Sequence, residues 1–328
     1  MPTNARISSV RRALVTGATG FVGSHLARRL VRDGYEVHIL TRATSNTWRI
    51  ADILSRVKSH TVDLLDREKL TEVVGLIQPE IIFHLANAGV YGGKHLPEGD
   101  LIAVNFMGTH HLLSACEAVE YTCFVNTGSS AEYGPKENPM AESDACDPVT
   151  MYGLTKLAST LCARFVARVK NKPVITLRLF SPYGPYDDPL RLMSYALVRA
   201  LRNRELDLAD PNAVRDYVYI GDVVEAYMKC IDRAARHRGE IVNIGSGSQT
   251  ATSTVIEKIM ALTGLKSAVR WNAVSPRPFD ARRWEADIRE AAALLDWHPK
   301  FSLEEGIRES LAWFKENLSF YNSHGRNR

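Results

Sequence analysis

Between residue 12 and about residue 180, short runs rich in β-branched and aromatic residues alternate with stretches of helical period. The strand candidates are "ALVT" (13–16), "EVHILT" (36–41), "VKSHTVD" (57–63), "EIIFHLA" (80–86), "YTCFVNTG" (121–128) and "PVITLRLF" (173–180). Between the first two lies "VGSHLARRLVRDG", with apolar residues at 22, 26, 30 and 31 and a closing Gly34. Such alternation forces parallel strands joined by helical crossovers, because a parallel sheet has two apolar faces to cover. The expected fold class is therefore α/β, a doubly wound parallel sheet. After residue 180 the rhythm loosens into "SPYGPYDDP" and a mixture of helices and short strands. This predicts a first domain over 1–180, with some later segments recrossing into it, and a smaller, mostly helical C-terminal domain over 181–328.

The chain has 328 residues, with 41 Lys plus Arg against 37 Asp plus Glu, a net charge of +4. That small, dispersed surplus argues against nucleic acid as a partner, though it can help attract an anionic small molecule. No apolar run approaches the roughly 20 residues that span a bilayer, so no membrane association is expected and a cytoplasmic location is the default. The five cysteines lack CxxC or metal-ligand spacing and are expected as reduced thiols, with no metal.

"ALVTGATGFVGSHLARRL" places Gly17, Gly20 and Gly23 between the first strand and the first helix. Glycines there permit a tight turn, close backbone approach to a pyrophosphate and close helix-to-sheet packing, while the helix N-terminus offers unpaired N–H groups to an anion. The spacing is GxxGxxG, and its place in the first βα unit predicts a dinucleotide site. The second strand ends in "ILTRATSN", which offers no carboxylate for a ribose but gives Arg42 and Ser45 as holders of a 2′-phosphate. NADP(H) is favoured, with NAD(H) as the alternative. Asp63 is placed for the adenine edge.

In "YGLTK", Tyr152 and Lys156 are four apart and share a helix face. An ammonium beside a phenol favours the phenolate, so tyrosine becomes usable as a proton donor and acceptor. "VNTGSSAEYG" brings Ser129 and Ser130 to the carboxyl edge of the sheet, where ligands of such folds bind.

With these segments, and with "HLA" after the fourth strand, "LRLFSPYGP", "RDYVYIGDVVEAY", "NIGSG" and "RPFDARRWEAD", the chain resembles the extended short-chain dehydrogenase/reductase family in its nucleotide-sugar branch. The resemblance covers nearly the whole length. It implies a Rossmann-like first domain, a nucleoside-diphosphate sugar as substrate, and homodimerisation through helices at about 98–119 and 147–170. It also implies that Tyr152 is the general acid/base, that Lys156 tunes it and holds the cofactor ribose, and that Ser129 hydrogen-bonds the reacting oxygen. Further cofactor contacts would come from Gly17, Thr19, Gly20, Phe21, Val22, Gly23, Arg42, Ser45, Asp63, Leu64, Leu85, Ala86 and Asn105. Substrate contacts would come from Asn87, Ser130, Ser181, Arg215 and Arg277, the two arginines clamping the diphosphate.

Dehydratases of this kind carry a glutamate two residues before the tyrosine of the strand-end "YG"; here that slot is Ala131. Glu132 comes one residue later and is expected to face away on an extended segment. Elimination is thereby disfavoured. Two reactions at C4 remain. An NADPH-dependent 4-keto-6-deoxyhexose reductase is favoured by Arg42, and a 4-epimerase with bound NAD is the alternative. A non-catalytic dinucleotide sensor is a third reading, opposed by the retained tyrosine and lysine. His84 is expected to be a satisfied strand-end residue, Asp222 a cap of its helix, and Lys94 and His95 part of a loop near the hexose.

Overall fold

The computed structural model describes residues 10–89, 96–264, 268–275 and 283–321. Six strands of the first half are β1 (Arg12–Thr16), β2 (Glu36–Thr41), β3 (Lys58–Thr61), β4 (Ile81–His84), β5 (Cys123–Ser129) and β6 (Val174–Leu179). Four further strands follow: β7 (Ser181–Tyr183), β8 (Leu206–Asp207), β9 (Val214–Tyr219) and β10 (Ile241–Ile244). The main sheet has seven parallel strands in the order β10-β6-β5-β4-β1-β2-β3. It is the expected doubly wound α/β architecture. The strand order reverses between β1 and β4, so a crevice opens beyond their carboxyl ends.

Burial explains why these runs are strands. Every residue of β4 and β6 is buried, as a sheet covered on both faces requires. Alternate residues feed two separate cores: Ala13, Val15, Ile81, Phe83 and Val125 pack to one side, and Leu14, Ile82 and Phe124 to the other. Helix α1 (Phe21–Arg32) buries Leu26, Ala27, Leu30 and Val31 on the first face. The other helices are α2 (Arg67–Ile77), α3 (Glu98–Leu101), α4 (Gly108–Ala115), α5 (Met151–Val169), α6 (Leu192–Leu201), α7 (Ile220–Cys230), α8 (Thr252–Thr263), α9 (Arg289–Leu295) and α10 (Leu303–Asn317).

One expected helix forms but changes its winding along its length. Over 98–119 the chain forms α3, a wide-wound π segment at Ile102–Met107, and then α4. Such π segments often mark functional positions, and this one carries Asn105.

Residues beyond 180 serve both layers. β10 joins the main sheet beside β6, and Val223, Ala226 and Tyr227 of α7 share the core that α1 enters. α9 adds Ala291 and Leu295 to the same core, and α6, α8 and α10 form a third, including Met193, Leu197, Ile256, Ile307 and Phe314. A small sheet of β7, β9 and β11 (Gln249–Ala251) and a parallel pair of β8 with β12 (Val269–Arg270) accompany that core. All five cysteines are free thiols. Among the described residues, no helix is long and apolar enough to cross a membrane.

Candidate active site

The glycine turn sits at the crevice. Gly17 has φ +71°, and a Cβ there would lie 2.6 Å from both Leu85 C and Ala86 N at the end of β4. A Cβ on Gly23 would meet Gly17 O at 2.2 Å. Only glycine allows the turn to press against β4 and α1 to press against the turn. At the start of α1, Gly20 supplies no side-chain cap and the first turn holds no acidic residue. The unpaired N–H groups of Phe21, Val22 and Gly23 are thus left for an anion, and this cradle fits a dinucleotide pyrophosphate.

A polar chain links this turn to the helix of the tyrosine and lysine. Thr16 Oγ1 accepts from Ala86 N at 3.1 Å and donates to His84 Nδ1 at 2.7 Å. The opposite ring nitrogen, Nε2, then donates to Thr109 Oγ1 at 2.9 Å. Burial pushes His84 down to about 3, so the ring is neutral and serves as a strut, as a satisfied strand-end histidine should. Asn105, expected among the cofactor contacts, is 1% exposed. Its amide is committed to Ala88 N and O and to Thr155 Oγ1. The structure thus gives Asn105 a bracing role, because it fixes the strand end after β4 against α5.

Tyr152 and Lys156 occupy the first turns of α5, which Thr150 caps by accepting from Gly153 N at 3.0 Å. The helix approaches the β5 turn so closely that a Cβ on Gly153 would meet Ala131 O at 2.4 Å. Lys156 is 3% exposed, and its ammonium donates to Thr127 O of β5. Burial lowers it to about 8, with the charge of Glu132 opposing that shift. Thr127 Oγ1 in turn pairs with Tyr227 OH at 2.7 Å; burial raises the Tyr227 phenol, and Tyr152 is near enough to add to that shift.

Ser129, the last residue of β5, is half-buried; its Oγ accepts from Ala131 N at 3.2 Å. Residues Ser130–Glu132 form a 3₁₀ turn rather than an extended segment. Glu132 therefore does not face away as alternation would have it. It folds back beneath Ser129, where it is fully buried against Arg178.

At the adenosine end, Arg42, Ala43, Thr44, Thr61, Asp63, Asp66 and Lys69 line an open cleft of about 370 Å³. Ser45 Oγ accepts from Arg42 N at 2.9 Å and shapes this turn. β3 stops at Thr61, so Asp63 lies in the following loop, where its Oδ1 accepts from Leu65 N. Thr19 is half-buried in the glycine turn, and Leu64 and Leu85 are buried beside the site.

On the second layer, Ser181 of β7 and Arg215 of β9 lie on paired strands. Sequence reasoning missed the residue that joins Arg215 to the β5 turn. The Trp284 indole N–H donates to Ser130 Oγ at 3.0 Å, and the Arg215 guanidinium lies 5.4 Å from the Trp284 ring centre. Asp216, fully buried, organises the same corner by accepting from Ser246 N, Gly247 N and Ala286 N. A lone tryptophan in "RRWEAD" carries no local signal; only the fold brings it to Ser130. Asn87 is exposed at the β4 end. Arg277, Lys94 and His95 lie outside the described residues. Asp222 does not cap α7, since it sits inside the first turn and accepts from Lys300 N and Phe301 N. Among the described residues, no His, Cys, Asp and Glu cluster could hold a metal.

Comparisons with known proteins agree with this fold. The chain is 28% identical to UDP-glucose 4-epimerase of Bacillus subtilis, over 94% of this chain and 98% of that protein. It is 30% identical to UDP-N-acetyl-alpha-D-glucosaminuronate decarboxylase of Bacillus cytotoxicus, over 93% and 98%. The crystal structure of UDP-glucuronic acid 4-epimerase from Bacillus cereus, in complex with UDP-glucuronic acid and NAD, superposes with a TM-score of 0.84 at 26% identity, covering 93% of this chain and 99% of that one. The model of the NAD dependent epimerase/dehydratase family matches residues 13–245. With its glycine turn, parallel sheet and tyrosine-lysine helix in that order, the chain belongs to the NAD dependent epimerase/dehydratase family.

Proposed function

We propose that this protein carries out nicotinamide-dependent oxidation and reduction at C4 of a nucleoside-diphosphate hexose, and that the net reaction is 4-epimerisation. The observation that carries the reading is the meeting of α5 with the end of β5. There the buried Lys156 ammonium, the Tyr152 helix turn and Ser129 lie beside the strand end that packs on the glycine turn. The sequence favoured the 4-ketoreductase; relatives named as 4-epimerases, matched almost end to end, favour epimerisation and NAD.

In this reading the Tyr152 phenolate takes the proton of the C4 hydroxyl, and Ser129 holds the same oxygen by a hydrogen bond. The bound nicotinamide supplies the acceptor, and then the donor, of the C4 hydride. Lys156 keeps positive charge beside the phenol, so that Tyr152 can accept the proton and later return it. Arg215 and Arg277 offer bidentate donors to the diphosphate, and Trp284 walls the space between Arg215 and Ser130. Water elimination is disfavoured: Ala131 carries no carboxylate, and that of Glu132 is engaged by Ser129 N, Thr160 and Arg178.

The cleft at Arg42 supports the second reading, an NADPH-dependent 4-ketoreductase. Arg42 and Lys69 could hold a 2′-phosphate there, although Asp63 and Asp66 line the same cleft. Association with a second copy is also proposed. Leu154, Leu161, Phe165 and Val169 form one stripe on α5, exposed by 49%, 51%, 53% and 67%, with Ile102 and Met107 also exposed.

Incubation with UDP-hexoses and NAD, and separately with 4-keto-6-deoxy sugar nucleotides and NADPH, tests the reading. Interconversion at C4 without net cofactor use establishes the epimerase, stoichiometric NADPH loss establishes the reductase, and neither outcome overturns both.

A further inference from the structure

The turn after β5 contains a fully buried carboxylate that the reaction itself does not use. Glu132 Oε1 accepts from Ser129 N at 2.8 Å and from Thr160 Oγ1 at 3.0 Å, and Oε2 accepts from Arg178 Nε at 2.7 Å. The Arg178 guanidinium lies 4.5 Å from the centre of the Tyr133 ring, and its Nη2 reaches Cys146 Sγ at 3.2 Å. Gly128 makes room for the pair: a Cβ there would sit 2.7 Å from Glu132 Oε1 and 3.0 Å from Arg178 Cγ. A buried ion pair gives little stability relative to apolar residues of the same shape, so fold stability alone does not account for it. Its position does. The carboxylate grips the backbone of Ser129 and, through Thr160, packs against α5 one turn beyond Lys156.

We propose that Glu132, anchored by Arg178, is a positioning residue of the proton-transfer site, fixing the Ser129 backbone and setting a negative charge against α5 one turn from Lys156. The inference rests on the reading of Ser129, Tyr152 and Lys156 as the reacting set. The groups around Lys156 are Tyr152 on its own helix, the Thr127 carbonyl of β5, neutral His84 of β4, Glu132 of the β5 turn with the Arg178 guanidinium of β6 on its far oxygen, and Tyr227 of α7 behind Thr127. Of these, Glu132 carries the negative charge. Burial lowers Lys156 to about 8 even with Glu132 opposing it, so loss of that charge moves the ammonium further toward the neutral amine.

The test needs no substrate. Glu132→Gln with Arg178→Met removes both charges, leaves no unpaired buried cation, and retains an oxygen that can accept from Ser129 N. Glu132→Leu with Arg178→Met removes the acceptor as well. Titration of the ¹³C-labelled lysine side chains, with Lys156 assigned by its loss in Lys156→Met, reads the first effect. The Lys156 midpoint falls by about half a unit or more in both double variants, roughly a threefold loss of proton affinity. Amide exchange at Ser129 reads the second: protection persists with Gln and is lost about tenfold with Leu. If the double variants do not fold, Glu132→Asp keeps the charge but withdraws the carboxylate by one methylene, so Ser129 exchanges faster while Lys156 scarcely moves. An unmoved Lys156 midpoint in both double variants, or Ser129 protection unchanged in the Leu or Asp variant, overturns the proposal. Failure of the turnover assays above would sink the functional reading and leave these two readouts to decide the role of Glu132.

Discussion

Lys156, buried on α5, donates its ammonium to the Thr127 carbonyl two residues before Ser129 on β5. This bond joins the helix that carries Tyr152 to the strand that carries the serine. It also confines the charge of Lys156 to a buried site, which has consequences for pH.

Burial lowers folded Lys156 to about 8, from an ordinary lysine value of 10.5. Between those values the unfolded chain binds the extra proton, so this group's contribution makes stability rise with pH from about 8 to 10.5; below 8 the burial cost is present in full. Lys156→Met is therefore expected to stabilise the fold at pH 7 by about 1–3 kcal/mol, a gain that shrinks toward pH 10, while activity is lost. Denaturant melts across that range check the sign. Wild-type turnover is expected to decline as pH rises through about 8.

Gly17→Ala places a Cβ 2.6 Å from the backbone of Leu85 and Ala86 at a φ of +71°. Strain and clash together predict a loss of about 2 kcal/mol or more and weaker dinucleotide binding. Thermal unfolding and nicotinamide fluorescence check the two effects separately.

Arg42 is exposed over the cleft that Lys69 also lines. Arg42→Ala is expected to weaken NADP(H) by about tenfold, the worth of one charge-assisted contact, and to leave NAD(H) nearly unchanged. Equal effects on both cofactors would remove Arg42 from phosphate recognition.

Trp284 spans Ser130 and Arg215. Trp284→Ala is expected to raise the KM for the sugar nucleotide by about tenfold, with a smaller change in kcat, since the residue shapes binding without handling the proton. Steady-state kinetics on the substrate found by the assays above give the split.

The residues that announced this fold are those bound by local geometry. The Gly17, Gly20 and Gly23 turn and the two-sided apolar runs of β4 and β6 allow few alternatives, and each reads directly along the chain. The tyrosine-lysine spacing is equally local. What stayed hidden depends on contacts distant in sequence: Trp284 meeting Ser130 across 154 positions, Asn105 bracing Ala88 and Thr155, and Asp216 gathering the 246–247 and 286 backbones. Glu132 was misjudged because alternation assumes an extended chain, whereas Ser129 and Glu132 cap one another's backbone and curl the segment into a 3₁₀ turn. Asp222 was misjudged because its partners, Lys300 and Phe301, lie 78 and 79 residues away.

The most direct test of the account follows Tyr152. Wild type and Tyr152→Phe are mixed with NAD and the accepted UDP-hexose, and C4 inversion is followed by NMR alongside cofactor affinity. The account predicts that the phenylalanine variant binds NAD within about twofold of wild type but loses about 10²–10⁴ in kcat, the usual worth of a positioned acid/base. Turnover within a few-fold of wild type would contradict it.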